Sequence, residues 1–358
     1  MPGTPARSAS RRRTMRSSFI TWYPYCRRSD TIAAALGGTS HLVHYLSFKH
    51  PLHAPLKYPM QAATTWRILS AERPDLVLVA VPPIFDALAV GRYARRHHAR
   101  FVIDAHTGIF LHRRWRWLLP LTRAISRRAD AVIVTGEHLA GVVSSWAAHP
   151  VIIGDVPVQI GPGRPPAAIA KDRVVVVNTF SVDEPVAALL AAAGQVPTVE
   201  FFITGDVRYA PSGLVDGRPS NARFTGFLPE EDYAGLLRAA DAIVVLTDHD
   251  HTMQRGAYEA VAVEKPLVTS NWGLLRETFS RGTVHVENEP AAIAAGVRLA
   301  LAERTRLSGE MQILRREREA LFAQRLGHLL DVVGTSSASA DRPRAGTNGS
   351  SPSEELRP

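Results

Sequence analysis

The segment 241–270 holds the densest run of polar residues that could bind a ligand. An apolar strand is predicted at 242–246, a polar loop follows at 247–255, and a helix is predicted to begin near Gly256. Free N–H groups and the dipole at a helix start attract anions, and a glycine lets a diphosphate approach the backbone. Arg255 could add a fork-shaped contact to phosphate, and the carboxylate of Glu259 could accept hydrogen bonds from ribose hydroxyls. The pattern predicts a nucleotide site, although a solvated helix surface would fit these two residues equally well.

A second chemical candidate is the run Asp104-Ala105-His106-Thr107-Gly108, which follows a predicted strand at 101–104. A histidine at such a turn can exchange a proton or a hydrogen bond with a hydroxyl near neutral pH. We predict that His106, with Asp104 beside it, orients or deprotonates an acceptor. A loop histidine that only binds local backbone would have the same sequence.

Two segments combine aromatic residues with arginine and could contact an acceptor or a membrane. Trp22 and Tyr23 precede Arg27 and Arg28; their rings could stack on a sugar or belong to the core. In a second segment Arg and Trp alternate, and this pair of residue types favours an anionic lipid surface. The residues concerned are Arg113, Arg114, Trp115, Arg116 and Trp117. A solvated helix with its Trp residues in the core explains the same pattern.

The run Asp248-His249-Asp250-His251 resembles a metal-binding cluster in composition. Four successive side chains on an extended loop cannot all face one ion, because neighbours point to opposite sides. Two on one side could, so these residues alone leave a metal site open, and the expectation of no metal and no cofactor follows only from the family resemblance described below.

Length, charge and cysteine content limit the class of protein. The 358 residues suggest two domains. Residues 18–155 carry sixteen basic and eight acidic side chains, whereas residues 156–333 carry eighteen and twenty-two. The pI near 10.1 could suggest nucleic-acid binding, but five arginines lie in residues 1–17 and no nucleic-acid motif is present, so we expect no nucleic-acid partner.

The single cysteine, Cys26, rules out a disulfide within the chain and fits a reducing compartment. No apolar run reaches the roughly 18 residues of a membrane span. We therefore expect a cytoplasmic protein, with peripheral attachment to the inner face of the membrane if the Arg–Trp segment binds lipid.

Short apolar strands alternate with helical patterns, and the alternation restarts after a region rich in Gly and Pro at 151–170. This predicts an α/β protein with two Rossmann-like domains, at 18–155 for an acceptor and at 156–333 for a donor. The tails 1–17 and 334–358 offer little to bury and are predicted to be disordered.

A set of short motifs in residues 201–280 resembles the donor domain of glycosyltransferase family 4. The motifs are FTGFL at 224–228, LL at 236–237, ADA at 240–242, GAYEAVA at 256–262 and KPLVTS at 265–270, with a weaker echo at 74–77 and 129–135. The resemblance implies the GT-B fold, in which two Rossmann-like domains face each other across a cleft. It also implies a retaining, metal-independent hexosyltransferase of polysaccharide biosynthesis, with a UDP- or GDP-sugar donor and a glycan or lipid-linked acceptor.

The same resemblance assigns donor residues one by one. The family's two motif glutamates lie eight positions apart, so the second is Glu259, on the ribose, and the first falls on His251, near the sugar. Thr252, Met253, Gln254 and Arg255 would line the sugar and phosphates.

The basic pair that the family carries after the first strand of this domain is absent here, where Asn178-Thr179-Phe180-Ser181 and Glu184-Pro185 stand instead. Arg255 could replace it, or Arg208, which follows Gly205 at the end of a predicted strand at 201–204. The two departures leave open another GT-B enzyme, such as a nucleotide-sugar epimerase, and a catalytically silent nucleotide-sugar-binding subunit.

Overall fold

The computed structural model describes residues 15–46, 51–111, 113–154, 156–211, 213–250 and 252–340. The chain divides into two compact units, of which the first contains residues up to Gly154 and again from Gln324, and the second contains Asp155–Ala323. Each unit is built on one parallel sheet.

The sheet of the first unit has six strands, in the order β2-β1-β3-β4-β5-β6. The strands are β1 (Ser17–Thr21), β2 (Thr39–Leu42), β3 (Leu76–Val81), β4 (Arg100–Ala105), β5 (Ala131–Val134) and β6 (Pro150–Ile152). Every residue of β3, with the sequence LVLVAV, is buried, as expected for a central parallel strand with both faces covered. Because all neighbours pair in parallel, the carboxyl ends of β1, β3 and β4 lie at one edge of the sheet.

The helices that accompany these strands lie between them in the sequence. They are α1 (Arg27–Ala35), α2 (Ala54–Glu72), α3 (Ile84–His97), α4 (Gly108–Leu111), α5 (Leu119–Ser126) and α6 (Glu137–Ser145), with 3-10 turns at Pro51–His53 and Arg113–Leu118. The core between helices and sheet contains large apolar side chains such as Ile20, Leu69, Val79 and Tyr93.

The second unit repeats this plan with the strand order β12-β11-β10-β7-β8-β9. Its strands are β7 (Asp172–Val176), β8 (Val199–Thr204), β9 (Ala222–Gly226), β10 (Ala242–Val245), β11 (Leu267–Ser270) and β12 (Thr283–Val286). All of them pair in parallel, and β7 lies between β8 and β10. The loops that follow β7, β8 and β10 therefore emerge at the same edge.

The helices of the second unit are α7 (Val186–Gly194), α8 (Glu230–Arg238), α9 (Arg255–Ala262), α10 (Gly273–Thr278) and α11 (Pro290–Ala302), with a 3-10 turn at Val207–Tyr209. The last helix, α12 (Arg304–Ala340), begins in this unit, and its residues from Gln324 on belong to the first unit. Helix α8 begins after Pro229 with three acidic residues, which suit the positive end of a helix. The two helix-flanked parallel sheets confirm the α/β class of two Rossmann-like domains. Within the described ranges, no helix combines the length and the apolar character that crossing a membrane requires.

Candidate active site

A buried ion pair lies at the carboxyl end of β4. Asp104 is almost fully buried, and the Arg28 guanidinium binds it with two nitrogens, Nε at 2.9 Å from Oδ2 and Nη2 at 3.0 Å from Oδ1. Arg28 also donates to the carbonyl oxygens of Ile153 and Gly154. Burial alone would raise the pKa of Asp104, but Arg28 and His106 hold it well below its usual range. The pair thus fixes the start of α1 against β4 and the segment after β6.

His106 follows this strand and lies partly exposed above the ion pair. Its Nε2 is 3.5 Å from Oδ2 of Asp104, and its backbone N–H donates to the carbonyl of Val81. Burial lowers the pKa of His106, but Asp104 and Cys26 together raise it to about 10. An imidazolium can donate hydrogen bonds but has no lone pair for a proton, so this geometry favours orientation of a ligand over its deprotonation.

Cys26 is the fourth member of this group, after Arg28, Asp104 and His106, and the sequence analysis used it only to infer the compartment. It precedes the first residue of α1, where the helix dipole favours a thiolate. Burial raises the pKa of Cys26, yet hydrogen bonds with His106 and Ser29 give a net lowering. Cys26 lies between Tyr23 and Arg27, in a segment that the sequence analysis had already singled out, and this position was the available sequence signal.

Cys26 and His106 border a pocket of about 510 Å³ at the carboxyl ends of β1, β3 and β4. Its aromatic lining comes from Trp22, Tyr23, Tyr25, Tyr58 and Trp115, and its polar lining from Cys26, His44, Lys57, Gln61 and His106. The structure thus brings His106, Trp22, Tyr23 and Trp115 of the predicted site residues to one pocket. The indole of Trp22 is mostly in the core, where Nε1 donates to Thr65 and the ring stacks on Tyr58 with centroids 5.9 Å apart.

One face of α2 supplies polar groups to this pocket that the sequence analysis missed. Lys57, Gln61 and Thr65 follow one another at intervals of four residues, and each is at most 3% exposed. Gln61 donates from Nε2 to the carbonyl of Val43 at 2.8 Å, while its buried Oε1 has no hydrogen-bond partner in the part of the chain that the structure describes. Polar residues at helical spacing beside apolar ones were the signal that could have revealed them.

The Arg–Trp segment forms the 3-10 turn Arg113–Leu118, and its two tryptophans differ in environment. Trp115 packs against the core of the unit, whereas Trp117 is 71% exposed. The side chains of Arg113, Arg114 and Arg116 lie outside the described residues.

In the second unit, Glu259 lies buried in the first turns of α9. Its Oε2 accepts a 2.5 Å hydrogen bond from the hydroxyl of Tyr233, and its Oε1 accepts one of 2.9 Å from Nε of Arg255. Arg255 itself is half exposed. The two residues that the sequence assigns to ribose and diphosphate are therefore paired with each other.

A glycine at the start of α9 lets the first turn of the helix lie close to the sheet. A Cβ at Gly256 would lie 2.7 Å from the side chain of Val177, so only glycine allows this approach. Gln254 donates to the carbonyl of Leu246, and its Oε1 is buried without a hydrogen-bond partner among the described residues. Thr252 is half-buried, and His251 lies outside the described residues.

The acidic loop after β10 is held by hydrogen bonds to its own unit. Thr247 donates to Asp183, and its carbonyl accepts from Asn288 and from the indole of Trp272. Asn288 also donates to Asp248 at 2.8 Å. Over the described ranges, no three His, Cys, Asp or Glu side chains are grouped so as to hold a metal ion.

The loop after β7 is held by hydrogen bonds to an acidic side chain of the same unit. The carboxylate of Glu184 accepts hydrogen bonds from the backbone N–H groups of Thr179 and Ser181, both at 2.9 Å, and from the Thr179 hydroxyl. This is the segment in which the expected basic pair is absent. The backbone N–H groups of Thr179 and Ser181, which could otherwise face a phosphate, donate to Glu184.

The turn after β8 contributes two further predicted donor residues. Gly205 has φ +107°, and a Cβ there would meet the carbonyl oxygen of Asn178 at 2.5 Å, so the turn requires glycine. Arg208 is 82% exposed and binds Asp206 through two nitrogens. Because β8 pairs with β7, this turn and the Glu184 loop are neighbours at the sheet edge.

Part of the second unit matches a known protein family. Residues 171–303 match the family described as glycosyl transferases group 1. This stretch lies within the second unit, and it confirms the resemblance found in residues 201–280.

A 103-residue stretch is 27% identical to YtcC of Bacillus subtilis (strain 168), whose name assigns it to the glycosyltransferases. This match covers 28% of the chain and only 25% of that relative.

Solved structures share the fold of the whole chain. A sucrose-phosphate synthase from Thermosynechococcus elongatus has a TM-score of 0.60 at 16% identity, covering 90% of this chain and 100% of its own. HepE from Anabaena, crystallised with UDP-glucose, has a TM-score of 0.56 at 13% identity, covering 88% and 99%. At such identities the likeness establishes the fold, which is the GT-B fold of glycosyltransferases.

Proposed function

We propose that this protein is a glycosyltransferase that moves a hexose from a UDP- or GDP-linked donor to a glycan or lipid-linked acceptor, with retention of configuration. The observation that carries the proposal is the buried Glu259 at the start of α9, inside the stretch that matches group 1 glycosyl transferases. A carboxylate held there can accept the two hydroxyls of a ribose.

The donor would lie along the edge formed by the ends of β7, β8 and β10. Glu259 binds the ribose, and the first N–H groups of α9, with Arg255, bind the diphosphate. The unpartnered Oε1 of Gln254 supports this assignment, because a buried acceptor without a donor is stabilised by a ligand hydroxyl. Thr252, His251, Gly205 and Arg208 complete the donor set.

The acceptor would lie in the pocket of the first unit. His106 donates to an acceptor hydroxyl, and Asp104 holds the imidazolium in position through its own pairing with Arg28. The aromatic side chains around the pocket offer stacking surfaces for a sugar ring.

A two-stage experiment tests the proposal. A thermal-shift screen of the full chain against UDP, GDP, ADP and CMP and their sugars comes first, since a ligand that binds only the folded state raises the midpoint. The donor so identified is then incubated with and without acceptor glycans, and the anomeric configuration of the product is read by NMR. Conversion of the donor to an isomer without acceptor would instead indicate an epimerase.

The occupied loop after β7 favours a second candidate, a catalytically silent subunit that binds a nucleotide sugar. Glu184 takes up N–H groups in the segment where the resemblance places phosphate contacts. A midpoint that rises with the nucleotide sugar, together with no donor consumption in the presence of any acceptor, would support this candidate. Consumption of donor would exclude it.

A further inference from the structure

The pocket of the first unit, which we call the aromatic pocket, is bordered by Trp22, Tyr58, Lys57, Gln61 and His106 together with the lining residues given above. Among its described lining residues there is no Asp or Glu. Two acids lie near His106: Asp104, which Arg28 binds through two nitrogens, and Asp86, which is fully buried and whose pKa is raised by that burial. Lys57, His44 and His106 are the lining residues that can carry positive charge, and Cys26, whose pKa is lowered by its hydrogen bond with His106, is the acidic one.

Lys57 brings a basic group to the inner side of the pocket. Its side chain is only 3% exposed, and Nζ lies 5.2 Å from the centroid of the Tyr58 ring. A lysine this deeply buried interacts with its surroundings in a medium of low dielectric, where an approaching anion is attracted more strongly than at the surface. His106, which directly follows β4, adds a cationic hydrogen-bond donor to the lining.

Gln61, one turn after Lys57 on α2, adds a buried polar group to the lining. Its Nε2 donates to the carbonyl of Val43, which fixes the orientation of the amide, and its Oε1 has no hydrogen-bond partner among the described residues. The residue is 2% exposed, and a buried acceptor that lacks a donor costs free energy unless a ligand supplies one. A sugar hydroxyl is a donor of the required kind.

We propose that the aromatic pocket selects an acidic sugar acceptor, one whose ring carries a carboxylate or a phosphate. The ring lies against Tyr58 and Trp115, a hydroxyl donates to Oε1 of Gln61, and the anionic group binds Lys57 and His106. Calling the ligand an acceptor rests on the proposed function, but binding of an acidic sugar does not depend on it.

The test measures binding to the full chain without nucleotide, through the fluorescence of the pocket tryptophans Trp22 and Trp115. Glucuronate and glucose 6-phosphate are each compared with glucose, their neutral counterpart. At least one acidic sugar should bind about tenfold more tightly than glucose, as a charge-assisted contact implies, and added salt should reduce the difference. Preference for glucuronate would indicate a carboxylate, and preference for glucose 6-phosphate a phosphorylated or lipid-linked sugar.

A second readout uses Cys26, which lines the same pocket and is the single cysteine of the chain. Alkylation by iodoacetamide, followed by mass spectrometry, should be slowed by the preferred acidic sugar and hardly by glucose. Lys57→Met should abolish the preference, whereas Lys171→Met, at an exposed lysine of the second unit, should leave it unchanged.

Equal affinity for glucose and both acidic sugars, or no binding of either acidic sugar at its highest soluble concentration, would overturn the proposal. Both results come from the unaltered protein, so the conclusion stands even if Lys57→Met fails to fold. Nucleotide binding by the second unit is read separately in the thermal-shift screen, which distinguishes failure of this proposal from failure of the proposed function.

Discussion

The hydroxyl of Tyr233, on α8, donates a 2.5 Å hydrogen bond to the buried carboxylate of Glu259, on α9. Arg255 binds the other carboxylate oxygen, so both oxygens have one fixed partner. An ionised carboxylate offers about four acceptor positions, which leaves about two for a ligand. The carboxylate is thus held in one orientation before any nucleotide arrives, and this reduces the ordering cost of binding.

The first prediction concerns this carboxylate. Glu259→Gln should weaken nucleotide binding by about 1–3 kcal/mol, because a charged hydrogen-bond acceptor is lost while the shape is kept. Calorimetry with the nucleotide found in the screen measures the change. Tyr233→Phe, which keeps the carboxylate and removes only its support, is the matched control and should cost less. A folded Glu259→Gln protein with the affinity of the unaltered chain would contradict the assignment.

The second prediction concerns His106. His106→Gln should lower turnover about 100-fold or more and leave nucleotide affinity nearly unchanged, because the residue lines the pocket of the first unit whereas the proposed nucleotide site lies in the second. The measurement is release of nucleotide from the donor in the presence of acceptor. His138→Gln, at an exposed histidine of α6, serves as the control. Normal turnover in His106→Gln would exclude the proposed role.

The third prediction concerns the pH dependence of Cys26. Because its pKa is lowered from the ordinary value of 9.0, the thiolate persists at lower pH than in a free thiol. The rate of alkylation by iodoacetamide should therefore rise with pH and reach its midpoint below 9.0. Removal of the imidazolium in His106→Gln should shift that midpoint upward. A midpoint at or above 9.0 in the unaltered protein would refute this pairing.

The fourth prediction concerns the stability that the Arg28–Asp104 pair contributes. Asp104→Asn should destabilise the first unit by about 3–5 kcal/mol at neutral pH, since it leaves a largely buried guanidinium without its counter-charge. A carboxyl whose pKa is lowered on folding stabilises the protein above its unfolded pKa and loses that effect as pH falls.

Urea denaturation followed by tryptophan fluorescence measures this stability. The difference between the two proteins should be constant above about pH 5 and shrink below about pH 4. Asp130→Asn, in a more exposed pair with Arg100, should cost less. A pH-independent difference would show that lost packing, and not charge, is responsible.

The fifth prediction concerns attachment of the first unit to an anionic membrane. Trp117 is 71% exposed within the Arg–Trp segment, which fits a residue that inserts at the lipid boundary. Joint replacement of Arg113, Arg114 and Arg116 by Ala should remove most binding to anionic vesicles, since each basic residue near such a surface contributes about 1 kcal/mol. Trp117→Ala should remove the part that salt does not screen.

Vesicle co-sedimentation over a range of salt concentrations makes this measurement. A second variant, with the five arginines of residues 1–17 replaced by Ala, separates the effect of the basic tail. If that variant no longer binds anionic vesicles at low salt, the segment 113–117 makes no membrane contact and a water-soluble acceptor is indicated.

Several features could be predicted from the sequence because they depend on neighbours along the chain. Fully apolar runs such as 76–81 form central parallel strands, since both of their faces are buried. The strand, loop and helix around Glu259 were predicted for the same reason, and α9 begins within one residue of the predicted position. The residues 101–104 likewise fall inside β4.

Which residues pair across long stretches of the sequence was decided by the tertiary structure alone. Arg28 and Asp104 are 76 residues apart, and Tyr233 and Glu259 are 26 apart, so no local pattern joins them. Lysine and glutamine are usually exposed, and only the face that α2 turns inward makes Lys57 and Gln61 pocket residues. The sequence thus determined which elements form and which residues end them, because those follow from local periodicity. Packing of those elements decided which charges meet, because burial and electrostatics depend on distances in space.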